Sequence, residues 1–439
     1  MCYNPLLNRI YCVNEQSNNV SVIDCVSDSV IGIIPTGSFP HIICYNPVSN
    51  KVYCANVLDN TVTIINAITN QVLATVRVGE MPRALICNPI VNKVYCANAN
   101  TDDLTVIDGL GDSVINSIQV GERPTALCYN FTNNKIFCAN QNSNSVSMID
   151  CVTDSVVATA PAGNYPWTID YNLANNQVYC VSWRSCEVTV INGTSGALIG
   201  NVAVGSWPVA LIFNPLNRKV YSANQWSSSA SIIDALTNRV ISNVQTGTYA
   251  EAVCYNASVN KIYIANQFSN NITVIDGLTN NVLANIEVGA QPIYIISNPM
   301  GYNVYCANNM SSSVSIIDGS SDTILATVVV GSGPRMLCCS GQNNKIYCAN
   351  CNNNTVSVID GNNHTLLKNL SVGYHPFALC YNSLNQFVYC AIMAMARCRL
   401  LMLQPTALLI QLGWVFHLGH FVMFPTIIAF IVLIMLITL

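Results

Sequence analysis

Seven aspartates fall on one spacing: Asp24, Asp108, Asp150, Asp234, Asp276, Asp318 and Asp360, with Asn66 and Asn192 filling the same 42-residue series. Regular carboxylates invite a cation-site reading. Their surroundings argue for structure instead. Each opens a turn such as Asp276-Gly277-Leu278-Thr279-Asn280, where side-chain oxygens accept backbone N–H groups. Sheets pack about 10 Å apart, so carboxylates on successive repeats are too dispersed to share an ion. The histidines before the C-terminal tail, His41, His364 and His375, are too scattered to form a ligand set. No phosphate-binding glycine loop, Gly-x-Ser-x-Gly or His-Glu-x-x-His motif occurs, and no catalytic, cofactor or metal residue is assigned.

The chain has 21 cysteines, which first suggests disulfides. Their positions suggest packing. Cys12, Cys54, Cys96, Cys138, Cys180, Cys306, Cys348 and Cys390 share a repeat position with Ser222 and Ile264. Cys44, Cys128, Cys254, Cys338 and Cys380 alternate with Ile86, Ile212 and Ile296. A site that takes Cys, Ser or Ile is a small core site. Cys25, Cys151, Cys186 and Cys351 sit near turns and are the better candidates for reactive or paired thiols.

The elements behind these series are repeats. Asn50-Lys51-Val52-Tyr53-Cys54-Ala55-Asn56 returns 42 residues later as Asn92 to Asn98, and variants recur from Tyr11 to Tyr389. Between Pro82 and Pro124 lie four short segments: the apolar run Arg83–Cys87, the alternating Lys93–Ala97, Leu104–Ile107 after a polar loop, and the alternating Ser113–Val120. β-Branched and aromatic residues at period two, cut by Asn, Gly, Pro and Asp, predict four antiparallel strands per unit. Such a unit is a propeller blade, stable only when neighbours cover its faces. Gly37, Gly79 and their successors mark the corner between blades, with a proline three residues on except at Ala250. Glycine there is expected to supply a positive φ. The fold class is all-β: a propeller of nine complete repeats and a partial tenth over residues 1–391. That number exceeds the usual four to eight blades. Rings of seven to ten units all remain open.

The Tyr-Cys-Ala-Asn strand, the Val-Ile-Asp strand end and the Val-Gly-x-x-Pro corner resemble the YVTN family of β-propeller repeats, with Tyr-Val-Thr-Asn changed to Tyr-Cys-Ala-Asn. The resemblance implies four-stranded blades, usually seven to a ring, often in extracytoplasmic or cell-surface proteins. It also implies a link to quinoprotein-like propellers that carry haem or quinone chemistry. This chain shows no Cys-x-x-Cys-His haem site. It has no signal peptide: Met1-Cys2-Tyr3-Asn4-Pro5 already matches the repeat at Cys44-Tyr45-Asn46-Pro47, which favours a fragment of a longer array.

Residues 392–439 are apolar and depart from the pattern, and Phe421–Leu439 carries no charge over 19 residues. By hydropathy this is a transmembrane candidate of helical tendency. Back-translated with free wobble bases and read one base out of frame, the tail spells Val-Ile-Asp, Val-Gly-x-x-Pro and Tyr-Cys-Ala-Asn in repeat phase. We therefore read it as a frameshifted repeat, with a membrane partner only if the tail is genuine.

The corner and loop positions vary most. His41, Arg83, Arg123, Trp167, Trp207, Glu251, Arg335 and His375 are the candidate rim residues, with Trp183, Arg184 and Trp226 in loops between second and third strands. Only 9% of residues are charged, net charge is −4, and no basic run exists, so nucleic-acid binding is not expected. The expected function is a non-catalytic scaffold with a protein or glycan partner on the rim and no cofactor. The alternative is a quinoprotein-like enzyme or redox domain with a cofactor in the central channel.

Overall fold

The computed structural model describes residues 2–14, 18–24, 29–299, 301–340, 344–372, 375–382, 387–394 and 397–403. They form nine four-stranded sheets and one three-stranded sheet, each antiparallel and in sequence order. Each sheet is one blade. In blade three the strands are Pro82–Asn88, Lys93–Asn98, Asp103–Asp108 and Val114–Gln119, matching the four predicted segments. At most junctions the first strand of one blade packs on the first strand of the next, so these strands line the axis. Second strands are sandwiched: Val94 to Asn98 are all buried. The outer strand Val114–Gln119 is largely exposed and buries Ile118, as expected for an edge with one dry face.

The tenth sheet meets the first. Its third strand, Arg397–Leu403, lies against Arg9–Asn14, and the Cys390 thiol is raised by burial, with Cys351 and Cys12 adding to it. The ten sheets therefore form a closed circuit. Strand Phe387–Ala394 runs through residue 391, and Ile392 pairs with both Pro376 and Arg399. An open strand edge supplies unpaired backbone groups, and pairing with them outweighs the helical tendency of this part of the tail. Residues 404–439, with the apolar segment Phe421–Leu439, lie outside the described residues. Among the described residues no helix is long and apolar enough to cross a membrane.

Side chains latch each blade to the next. Tyr95 Oη donates to Asp154 Oδ1 at 2.7 Å, and Lys93 pairs with the same carboxylate at 2.6 Å. Lys51 with Asp112 and Lys261 with Asp322 repeat the ion pair. An amide pair forms a second latch: Asn4 to Asn50, Asn46 to Asn92, Asn88 to Asn134, Asn130 to Asn176, Asn214 to Asn260 and Asn298 to Asn344, at 2.7–2.9 Å. Within each blade a buried amide ties strands together. Asn98 Nδ2 donates to Asp103 Oδ1 at 3.1 Å and Thr105 Oγ1 at 2.9 Å.

The corner glycines have another purpose than the one expected from sequence. The positive φ belongs to the residue before each proline, such as Met81 at 59°. A Cβ on Gly79 would lie 2.1 Å from Thr101 Oγ1 and 2.4 Å from Asp103 Oδ1. Glycine is needed for close approach to the polar cluster below it. The aspartate series caps turns as expected: Asp276 Oδ1 accepts from the N–H of Leu278 at 2.9 Å.

Two cysteines proposed as reactive prove to be core residues. Cys151 is fully buried and Cys351 is 3% exposed, its thiol donating to the Pro376 carbonyl at 2.6 Å. Burial raises both thiols. Cys186 is half-buried, and Cys25 lies outside the described residues. In the folded chain, a thiol reagent at neutral pH is expected to modify Cys186 and spare Cys54, Cys96, Cys151 and Cys351, read by peptide mass mapping. Labelling of Cys54 at the rate of Cys186 would contradict the packing. Asn98→Ala should lower stability by about 2 kcal/mol, because Thr105 and Asp103 lose a buried donor. Asn100→Ala, at an exposed site, should leave the thermal midpoint unchanged.

Candidate binding surface

One end of the ring carries the corners and the loops between second and third strands. Phe39, Met81, Arg123, Tyr165, Trp207, Tyr249, Gln291 and His375 all occupy the left-handed region, with φ of 53–66°. Such residues carry strain of about 1–2 kcal/mol, and the preceding blade holds them there. The N–H of Arg123 donates to Asp102 Oδ1 at 2.8 Å, that of Tyr165 to Asn144 Oδ1 at 2.9 Å, and that of His375 to Asn354 Oδ1 at 2.8 Å.

On blades five to seven these positions build an aromatic platform. Trp183 meets Trp207 edge-on at 4.3 Å between ring centroids and Tyr165 at 5.4 Å. Trp207 stacks on Trp226 at 4.6 Å with 5° between planes. Trp167 lies 6.1 Å from Trp183. The Arg184 guanidinium sits 4.2 Å above the Tyr165 ring. Tyr249 and Phe268 extend the series, stacked at 4.3 Å. Trp226 is 64% exposed, so it offers a face to solvent. Edge-on and stacked pairs hold the rings at fixed angles.

The structure thus brings Trp167 and Trp207 together through Trp183. Arg335 acts on Glu251 and His375. Burial raises the Glu251 carboxyl, a hydrogen bond from Gln225 and the Arg335 charge opposing it. Burial lowers His375, and Arg335 adds to the effect. His41 stacks on Phe39 at 6.5 Å. His41, Arg83 and Arg123 belong to blades two to four and do not join the platform.

Beneath the platform, the junction of blades five and six departs from the junctions on either side of it. The inner strand of blade six, Pro208–Asn214, lies nearer the second strand of blade five, Gln177–Ser182, than its inner strand, Pro166–Asn172. The apolar layer here joins Tyr179, Val188 and Val202 to Val220, Ile233 and Ala235, without a residue of that inner strand. Four departures from the repeat coincide with the opening. Asp170 stands where Cys44 and Ile86 are 2% and 7% exposed, and Asp170 itself is exposed. Arg218 replaces the asparagine that would pair with Asn172, whose buried Nδ2 has no partner. Gln177 replaces the latching lysine and bonds within its own blade. Cys186 replaces the Asn or Asp that pins the next corner. The outer part stays latched: Tyr179 Oη donates to Asn238 Oδ1 at 3.2 Å and Asn175 Nδ2 to the Ala235 carbonyl at 2.8 Å.

Asp170 was not among the residues singled out from sequence. The signal was present: one Asp in a series otherwise of Cys and Ile. Desolvation by the surrounding chain raises its carboxyl above the ordinary range although part of the side chain meets solvent, with the Tyr171 N–H opposing at 2.8 Å. A carboxyl raised by folding costs stability as pH climbs from its unfolded pKa through its folded one, because the folded state keeps the proton longer. Asp170→Asn is therefore expected to melt above the parent chain near neutral pH. The gap should close as pH falls below about 3.9. Thermal melts at several pH values check this, and a gap independent of pH would contradict it.

No curated protein matches the chain in sequence. Among solved structures, dihydro-heme d1 dehydrogenase NirN in complex with DHE aligns with a TM-score of 0.52 at 15% identity, over 85% of this chain and 74% of that one. Kuenenia stuttgartiensis hydrazine synthase aligns at 0.41 and 19% identity, over 73% and 95%. At this identity, the first likeness speaks for the propeller fold alone. The matching family model is that of YNCE-like beta-propellers, not the YVTN repeat itself, and spans residues 7–300. With its repeated four-stranded blades and that match, the chain belongs to the YNCE-like beta-propeller family.

Proposed function

We propose that the protein is a non-catalytic binding module that holds a glycan or protein partner on the aromatic platform of blades five to seven. The observation that carries this reading is the contiguous set Tyr165, Trp183, Trp207 and Trp226, fixed by mutual ring contacts at 4.3–5.4 Å on left-handed corners and loops. Aromatic rings already ordered lose little entropy on binding, and a rigid scaffold beneath them keeps the surface shaped. The rim charges Arg83, Arg123, Arg335 and Glu251 surround this end of the ring and suit a polar border. The likeness to a haem d1 protein keeps a channel cofactor as the competing reading.

The test uses the full chain. Four of its five tryptophans are in the platform, so intrinsic fluorescence reports on it. Labelled protein applied to a glycan array and to an immobilised-protein array should give discrete hits that quench this fluorescence. Trp207→Ala with Trp226→Ala should weaken those hits at least tenfold while the thermal midpoint moves little. Equal binding by that variant would overturn the platform. A chromophore in the purified chain's visible spectrum would favour the redox reading.

A further inference from the structure

The open junction between blades five and six lies directly below Trp183 and Trp207. We propose that it is a slot for an uncharged saccharide, whose ring stacks at the aromatic mouth while its hydroxyls reach the inner strand of blade five. This deepens the platform reading and rests on it.

Strand alternation and the packing of the other blades place Thr168, Asp170 and Asn172 on one face. Ile42 and Cys44, at the positions of Thr168 and Asp170, pack toward the following blade, and Asn46 pairs with that blade. In blade five that face therefore carries a hydroxyl, a carboxylate and an amide toward blade six. The opposite wall is apolar: Leu211 and Phe213 are only partly buried in the junction's layer. At about 3.3 Å per residue, Thr168 to Asn172 spans roughly 13 Å.

The polar groups choose the ligand class. Asp170 offers only acceptors while ionised, which disfavours an anion. The Asn172 Nδ2 and Trp183 Nε1 are buried donors without partners, and an ammonium ligand brings no acceptor for either. A hydroxyl both donates and accepts, so vicinal hydroxyls satisfy the mixed set. The C–H face of a sugar ring suits the negative face of indole. Paired with apolar Leu211 and Phe213, the arrangement has the apolar wall and few placed polar groups of a small-ligand site. The missing latches accompany the parting of the two inner strands at this junction.

The experiment titrates the full chain with maltose, cellobiose and N,N′-diacetylchitobiose, following tryptophan fluorescence, with choline and inorganic phosphate as charged probes. At least one disaccharide should quench the signal saturably, and neither charged probe should. Asp170→Ile restores the residue type of neighbouring blades, so it should raise the thermal midpoint and weaken the disaccharide at least tenfold. A purely structural role would not move binding and stability in opposite directions. Arg218→Asn, which returns the partner of Asn172, should also weaken binding. Unchanged affinity in Asp170→Ile would overturn the slot, as would binding of choline alone or no response to any disaccharide. If Trp207→Ala loses the disaccharide and Asp170→Ile keeps it, the slot fails and the platform stands. If array hits persist in the Trp207→Ala, Trp226→Ala variant, the platform itself fails.

Discussion

A blade of this protein cannot satisfy its own buried face. Its second strand is dry on both sides, and the neighbour must supply both the apolar cover and the hydrogen-bond partners. In several blades the tyrosine hydroxyl finds its acceptor in the next, as Tyr11 does at the Ala67 carbonyl, 2.9 Å away. The amide of one blade finds its pair in the next, as Asn46 does at Asn92. Stability is therefore a property of junctions, summed around the circuit. A junction that loses its latches opens without unfolding the blades on either side. That is the condition of blades five and six, where the outer contacts of Tyr179 hold and the inner ones are gone.

Sequence periodicity carried most of the fold. The 42-residue return of Tyr-Cys-Ala-Asn, the turn aspartates and the period-two strands place nearly every blade, because each reports a local constraint repeated many times. The physical error was at the glycine corner. Composition suggested a backbone requirement there. The actual requirement is space, which becomes visible only when Thr101 and Asp103 are seen beneath Gly79. Turn proximity likewise misled for Cys151 and Cys351, since a turn between stacked blades is itself interior.

The site was legible in part. Trp167 and Trp207 stood out as aromatic corners, and Trp183 and Trp226 as loop residues. Their convergence depends on the loop of one blade meeting the corner of the next, a relation across sequence neighbours in the ring. Asp170, Arg218 and Gln177 were harder to see, because each is unremarkable alone. They matter as departures from a series: the Asp where the core needs Cys or Ile, the Arg where a partner amide is required. In a repeat protein the informative position is the one that breaks its column.

The left-handed corners have a consequence for how such a surface can change. Eight side chains as different as Phe39, Arg123, Trp207 and Gln291 share one backbone conformation, held by the preceding blade and the following residue. The geometry does not depend on which side chain is present. The ring is thus a display frame with interchangeable sockets, in which new recognition chemistry is reached by single substitutions that leave the frame unaltered. Diversification of such a chain would concentrate there, and a library built on those sockets would sample function without sampling foldability.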